Sequence, residues 1–128
     1  MRIDSALALT LLASFALGAA TVQALHAQSK PPGYAIVEID ASNPDALLKE
    51  YAPVATKAIE TAGGKFLVRG GRTVSIDGAP PKGRIVVSVY DSVEQAQAAL
   101  ASPAFLEARK IGDKYATFRT FVVEGLPK

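Results

Sequence analysis

The side chains in this chain that could do chemistry are tyrosines, arginines and a few carboxylates. Cysteine is absent, and the single histidine, His26, lies close to the N-terminus. No disulfide, thiolate metal ligand or cysteine nucleophile can form. Once His26 is set aside, a Ser/His nucleophile, a histidine-held haem and most zinc sites are excluded as well. The phenols are Tyr34, Tyr51, Tyr90 and Tyr115. A tyrosine beside an arginine can polarise a carbonyl or donate a proton, while the guanidinium holds an anionic group. The candidates for such work are Tyr90, Arg69 and Glu38 as catalytic groups, with Arg69, Tyr90, Arg119 and Tyr34 as ligand-binding groups. Any one of these tyrosines also makes an ordinary core or interface residue. Glu38 and Asp40 have no third acidic or imidazole partner in the pattern, so neither a metal nor a cofactor is expected.

The elements that must position these groups follow from apolar periodicity and turn chemistry. Residues 34–40 alternate and are rich in β-formers, which predicts a first strand. Asn43-Pro44 then offers an N-cap and a first-turn proline. A helix follows, with Leu47, Leu48, Tyr51, Ala55, Ala58 and Ile59 on one face. Pro53 should kink or split it, and Gly63-Gly64 should end it with a left-handed cap. Residues 65–69 make a second strand, with 72–76 as a short continuation past Gly70-Gly71. Between two arginines, that glycine pair could form an anion-binding nest, but a strand break or bulge needing positive φ is the simpler reading. Residues 84–90 are the most apolar strand, hence central. Ser92 and Gln95 form a capping box for a second helix, Ser102-Pro103 restarts the chain as a further helix, and residues 117–124 close the domain as the last strand. Strand, helix, strand, strand, helix, strand is the split βαβ order of an α+β, ferredoxin-like fold, with one sheet face left uncovered by helices.

The 128-residue length suits a single domain, and 49% apolar with 20% charged residues describes a folded chain. A net charge of +2 without a basic run gives no reason to expect nucleic-acid binding. Arg2, the apolar run 6–20 and the small residues Ala24 and Ala27 read as a secretory signal peptide. Residues 1–27 are thus the expected leader, 28–32 a linker and 33–126 the domain. Cleavage after Ala24 or Ala27 would place the protein in the periplasm or outside the cell, with no membrane contact. An uncleaved leader, approaching the ~20 residues that span a bilayer, would anchor it instead.

Alternation splits each strand into two sets. Ala35, Val37, Ile39, Phe66, Val68, Ile85, Val87, Val89, Phe118 and Val122 are almost purely apolar and are assigned to the helix-covered face. Tyr34, Ile36, Glu38, Leu67, Arg69, Val86, Ser88, Tyr90, Arg119, Phe121 and Val123 are mixed and are assigned to the open face. A mixed, half-apolar face marks an interface or a ligand surface. It would pack against a second copy of itself, or form a pocket in which Arg69 and Tyr90, with Glu38 or Arg119, meet a small anionic or aromatic molecule.

Gly63-Gly-Lys-Phe-Leu-Val-Arg-Gly-Gly71, the strand opening Arg84-Ile-Val-Val, Ser102-Pro-Ala-Phe105 and the closing Val123-Glu-Gly125 resemble the domain of unknown function 1330 (DUF1330) family. The resemblance runs from Tyr34 to Gly125. It implies a dimeric α/β-barrel in which two ferredoxin-like sheets meet face to face. The wider superfamily includes cofactor-independent monooxygenases, isomerases and haem-using enzymes, but the family itself carries over no catalytic residue. Ala-Pro-Pro-Lys before the third strand, and Ala98-Ala99-Leu100 where an aromatic is common, depart from its pattern. The expectation is an exported homodimer binding a small organic molecule, acting as a cofactor-free monooxygenase or isomerase. A non-catalytic structural or ligand-carrying dimer is the alternative.

Overall fold

The computed structural model describes residues 30–128. The expected leader and its cleavage sites lie outside the described residues, as do the first two positions of the expected linker. Four strands, β1 (Gly33–Ala41), β2 (Lys65–Arg69), β3 (Arg84–Tyr90) and β4 (Ala116–Glu124), form one antiparallel sheet in the order β2-β3-β1-β4. With the intervening helices this is the ferredoxin-like α+β arrangement. Among the described residues no helix is long and apolar enough to cross a membrane.

Local chemistry sets the helix ends. Asn43 Oδ1 accepts from the Ala46 N–H at 3.2 Å, opening a helix, α1, made of Pro44–Ala46, a π-helical stretch Leu47–Tyr51, and Ala52–Thr61. The widened turn sits just before Pro53, and the Ala52 N–H reaches back to the Leu47 carbonyl. Proline has no N–H to give and crowds the preceding turn, so the expected kink takes the form of a π-bulge. At the other end the Gly63 N–H bonds Glu60 O at 3.1 Å and the Gly64 N–H bonds Ile59 O at 2.9 Å. This is a Schellman cap, with Gly63 at φ +93°. Ser92 caps α2 (Val93–Leu100) through the Gln95 N–H at 3.1 Å, while Gln95 Oε1 accepts from the Asp91 N–H at 2.9 Å. Ser102 caps α3 (Pro103–Gly112) through the Phe105 N–H.

The helices cover one sheet face and bury a core of Ile39, Leu47, Tyr51, Ile59, Val86 and Phe105 with many alanines between. Directly opposed residues share a face. Ala35 opposes Ser88 and Val37 opposes Val86, so Val86, Ser88 and Tyr90 lie under the helices, at 9%, 3% and 2% exposure. This reverses the expectation for β3: Ile85, Val87 and Val89 occupy the open face. Both alternating sets of this strand are apolar enough to be buried, and a one-residue slip exchanges the faces wholesale.

In β2 a register shift between Phe66 and Val68 leaves Leu67 unpaired as a bulge. Phe66 opposes Ser88 under the helices, Val68 opposes Val87 on the open side, and Arg69 opposes Val86. The bulge carries Arg69 beneath the helices and Val68 out, opposite to simple alternation. The strand expected at 72–76 does not form. Gly70 turns the chain at φ +72°, and the following residues have no strand beside them among the described residues.

Candidate functional site

The five residues singled out in the sequence fall in three places. On the open face, Glu38 and Arg119 are cross-strand partners, joined at 2.7 Å from Arg119 Nη1 to Glu38 Oε2. Arg119 also lies 5.3 Å from the Phe121 ring centre. Its side chain is 70% exposed, so this pair adds little stability, and each charge is answered by the other. Tyr34 stands on the same face between Val89 and Val123, with its ring against Gly125.

Tyr90 is elsewhere, in the core. Its ring lies on Gly64, where a Cβ would come within 2.8 Å of it, and Ser88 Oγ donates to its hydroxyl at 3.3 Å. Burial pushes the Tyr90 phenol up, against a smaller lowering by the Ser88 hydrogen bond. The Gly-Gly pair thus has two tasks: Gly63 supplies the left-handed turn and Gly64 the close approach of Tyr90. Sequence pattern placed Tyr90 beside Arg69 on the open face. The structure buries Tyr90 and seats Arg69 in a different environment.

That environment is a cleft between α1 and the β2-β3-β1 part of the sheet, with a volume of about 50 Å³. Its walls are apolar, from Val37, Leu47, Ala55, Ile59, Phe66 and Phe105, and it opens beside Leu48, Arg69 and Arg84. Arg69 is fixed by two contacts: Nη1 donates to Thr56 Oγ1 at 3.3 Å, and the guanidinium stacks 4.6 Å from the Phe66 centre. Arg84 Nη2 donates to the Arg69 carbonyl at 3.4 Å, which brings the second guanidinium to the same rim. Gly70 allows this, because a Cβ there would meet the Arg84 guanidinium at 2.5 Å.

Among the described residues neither arginine has an acid partner. The ion pairs among the described residues engage Arg109, Lys110 and Arg119. Two guanidinium groups on one rim, with no carboxylate paired to either among the described residues, offer planar N–H donors to an anion. Among the described residues no Asp, Glu or His lines the cleft. Its one phenol, Tyr51, is pushed up to about 12, chiefly by burial, with Arg109 lowering it and Asp113 raising it. At neutral pH that wall carries no negative charge. Arg84 is the residue sequence reading passed over. The signal was present, because in an antiparallel hairpin the end of β2 and the start of β3 lie side by side. No group of three or more acidic or histidine side chains gathers as for a metal ion among the described residues.

The fold and this cleft define a ferredoxin-like α+β protein with an arginine-rimmed pocket between its first helix and its sheet. The chain belongs to the family described as Domain of unknown function (DUF1330), which it matches over residues 32–126. Among solved structures it is similar to RPA0582, a protein of unknown function from Rhodopseudomonas palustris. That match has 18% identity and a TM-score of 0.58, covering 83% of this chain and 92% of that one. It is also similar to SnoaB, a cofactor-independent oxygenase from Streptomyces nogalater. Here identity is 13% and the TM-score 0.56, covering 77% of this chain and 96% of that one. At such identities the likeness speaks for the fold. No curated protein matches the chain by sequence.

Proposed function

We propose that this protein binds a small organic anion, its acidic group seated between Arg69 and Arg84 and its apolar part directed into the α1 cleft. The observation that carries this reading is the pair of guanidinium groups without an acid partner at the rim of an otherwise apolar cavity. Ligand pockets for drug-sized molecules run to roughly 300–1,000 Å³. A cleft of about 50 Å³ therefore suits a short acid or one end of a larger one. The absence of a carboxylate or imidazole from its lining favours binding or carriage over proton abstraction.

Thermal shift of the wild-type chain against short aliphatic and aryl carboxylates, with the matching alcohols, tests the seat. The acids should raise Tm and the alcohols should not. Arg69→Gln and Arg84→Gln should each abolish the response, a loss of at least roughly tenfold in affinity for a charge-assisted contact of about 1.5–3 kcal/mol. No response to any acid, or an undiminished one in both variants, rules the reading out.

The same proposal places the protein outside the cytoplasm as a homodimer. The leader pattern at residues 1–27 supports export, and the mass of the N-terminus after expression with secretion decides it: Leu25 or Gln28 as first residue agrees, Met1 does not. The apolar open face, on which Val68, Phe121 and Val123 are 42%, 41% and 46% exposed, supports pairing with a second copy.

A further inference from the structure

The cleft that Arg69 and Arg84 rim has a neighbour. A second hollow, of about 280 Å³, lies where the end of β1 and the start of α1 meet both ends of the β2–β3 connection. Its walls include Ala41, Pro44, Gly70 and Gly83. It shares Ile39, Leu47, Leu48 and Arg84 with the cleft. The two spaces are therefore adjoining chambers with a common wall, and Arg84 belongs to both. Arg69 lines the cleft alone, and its carbonyl accepts from the Arg84 guanidinium at 3.4 Å.

Apart from Arg84, the hollow presents an apolar surface. Ile39 and Ala41 occupy the helix-covered side of β1, while Asp40, which also borders the hollow, alternates to the other side. Gly70 and Gly83 bring backbone to the wall without side chains. A Cβ on Gly83 would run into the Ile39 carbonyl, so the connection closes this tightly on β1 only with glycine there. Leu48, on the shared wall, is 45% exposed. An aliphatic side chain left open on the wall of a concavity favours any apolar group that takes it out of water.

An acid that meets both guanidinium groups has its carboxyl-bearing carbon at the junction of the chambers. The cleft, at about 50 Å³, admits a group of a few carbons, and the hollow is several times larger. Together they reach the lower end of the roughly 300–1,000 Å³ that ligand pockets occupy.

We propose that the protein selects branched, 2-substituted monocarboxylates: the carboxylate on Arg69 and Arg84, a short alkyl group in the cleft, and a larger apolar group, the size of a phenyl ring, in the hollow. This rests on the anion seat proposed above and adds which acids it prefers. A linear acid of the same composition carries its carboxylate at one end and fills only one chamber.

Thermal shift with 2-phenylbutyrate and its linear isomer 4-phenylbutyrate, beside butyrate, reads the selection, since the two isomers have the same atoms and charge. Half-saturation should come at a concentration at least roughly tenfold lower for 2-phenylbutyrate than for either other acid. Ala41→Phe puts a ring into the hollow and leaves both arginines in place. It should bring 2-phenylbutyrate down to the level of butyrate and leave butyrate unchanged, which also reports that the variant is folded. A second reading needs no variant. In isotope-filtered NMR spectra of the wild type, the phenyl protons of bound 2-phenylbutyrate should show contacts to the Ala41 methyl and its ethyl protons to the Ala55 methyl. If butyrate raises Tm but the isomers bind equally, or Ala41→Phe keeps the full response to 2-phenylbutyrate, or the phenyl protons meet Ala55 and not Ala41, the second chamber is overturned and the anion seat stands. If no acid raises Tm, both are overturned.

Discussion

Replacing Tyr90 by alanine should lower the stability of the domain by about 3–5 kcal/mol, the range for deleting a buried aromatic ring. Tyr90 is 2% exposed, and its ring fills the space that Gly64 leaves open below the α1–β2 turn. Gly64 has no side chain, and the sheet on the other side is a hydrogen-bonded ladder. Tyr90→Phe keeps the ring and removes only the hydroxyl. It leaves the Ser88 Oγ, on a residue 3% exposed, without the partner it now has at 3.3 Å. That should cost about 1 kcal/mol. Urea unfolding of both variants would show the difference as a fall in midpoint at constant slope. The pair of variants also decides the role of this tyrosine. If Tyr90 served as an acid or donor toward a bound molecule, Tyr90→Phe would lose the thermal-shift response to carboxylates. From its place outside the cleft, the response should persist in Tyr90→Phe. A nearly unchanged stability in Tyr90→Ala would mean that the ring is not packed as described.

What could be read from the sequence was what short-range chemistry decides. Asn43-Pro44, Ser92 with Gln95, Ser102-Pro103 and Gly63-Gly64 each satisfy a helix end with atoms a few residues away. The order of elements then leaves few topologies, and the ferredoxin-like one followed. What could not be read depended on partners distant along the chain. Ser88 and Tyr90 look like surface residues in a strand whose other side is Ile85, Val87 and Val89. They are buried because Ser88 and Tyr90 hydrogen-bond each other and because Gly64, remote in sequence, makes room for the ring. The other side, apolar though it is, is left uncovered by the helices.

The candidate site failed for the same reason at a single residue. Leu67 is bulged, and everything after it changes face. Arg69, expected on the open face beside Tyr90, therefore has other neighbours. Its real companions, Thr56 on α1 and Arg84 across the hairpin, come from 13 and 15 residues away. The strand pattern at 72–76 is a third case. The β-signal is genuine at the level of local propensity, but a strand needs a neighbour, and none stands beside this segment among the described residues.

Tyr51 offers the second large effect, one that depends on pH. Its phenol is 6% exposed and packs edge-on against Phe118, with ring centres 5.2 Å apart. Burial dominates in pushing its pKa up from 10.0 to about 12. The phenol is neutral when protonated, so a raised pKa means that the folded chain holds its proton while the unfolded chain has already released it. Below about pH 9 both states are protonated and the shift has no effect on stability. From about pH 10 upward the unfolded state is favoured, and the loss continues until the folded phenol ionises near 12. About two units correspond to roughly 2–3 kcal/mol. The quantity to measure is the difference between the wild type and Tyr51→Phe, in which every contribution other than this phenol cancels. Unfolding free energies of the two should diverge by roughly 2–3 kcal/mol between pH 9 and 12, with the wild type losing more. Parallel curves would show that the phenol is solvated rather than buried. The same property bears on the proposed anion seat, because Tyr51 lines the cleft that Arg69 and Arg84 rim. While the phenol stays neutral, no charge inside the cleft opposes an incoming carboxylate. Carboxylate binding should therefore hold up to about pH 10 rather than fade near neutrality, and a loss of binding below pH 9 would point to a different titrating group.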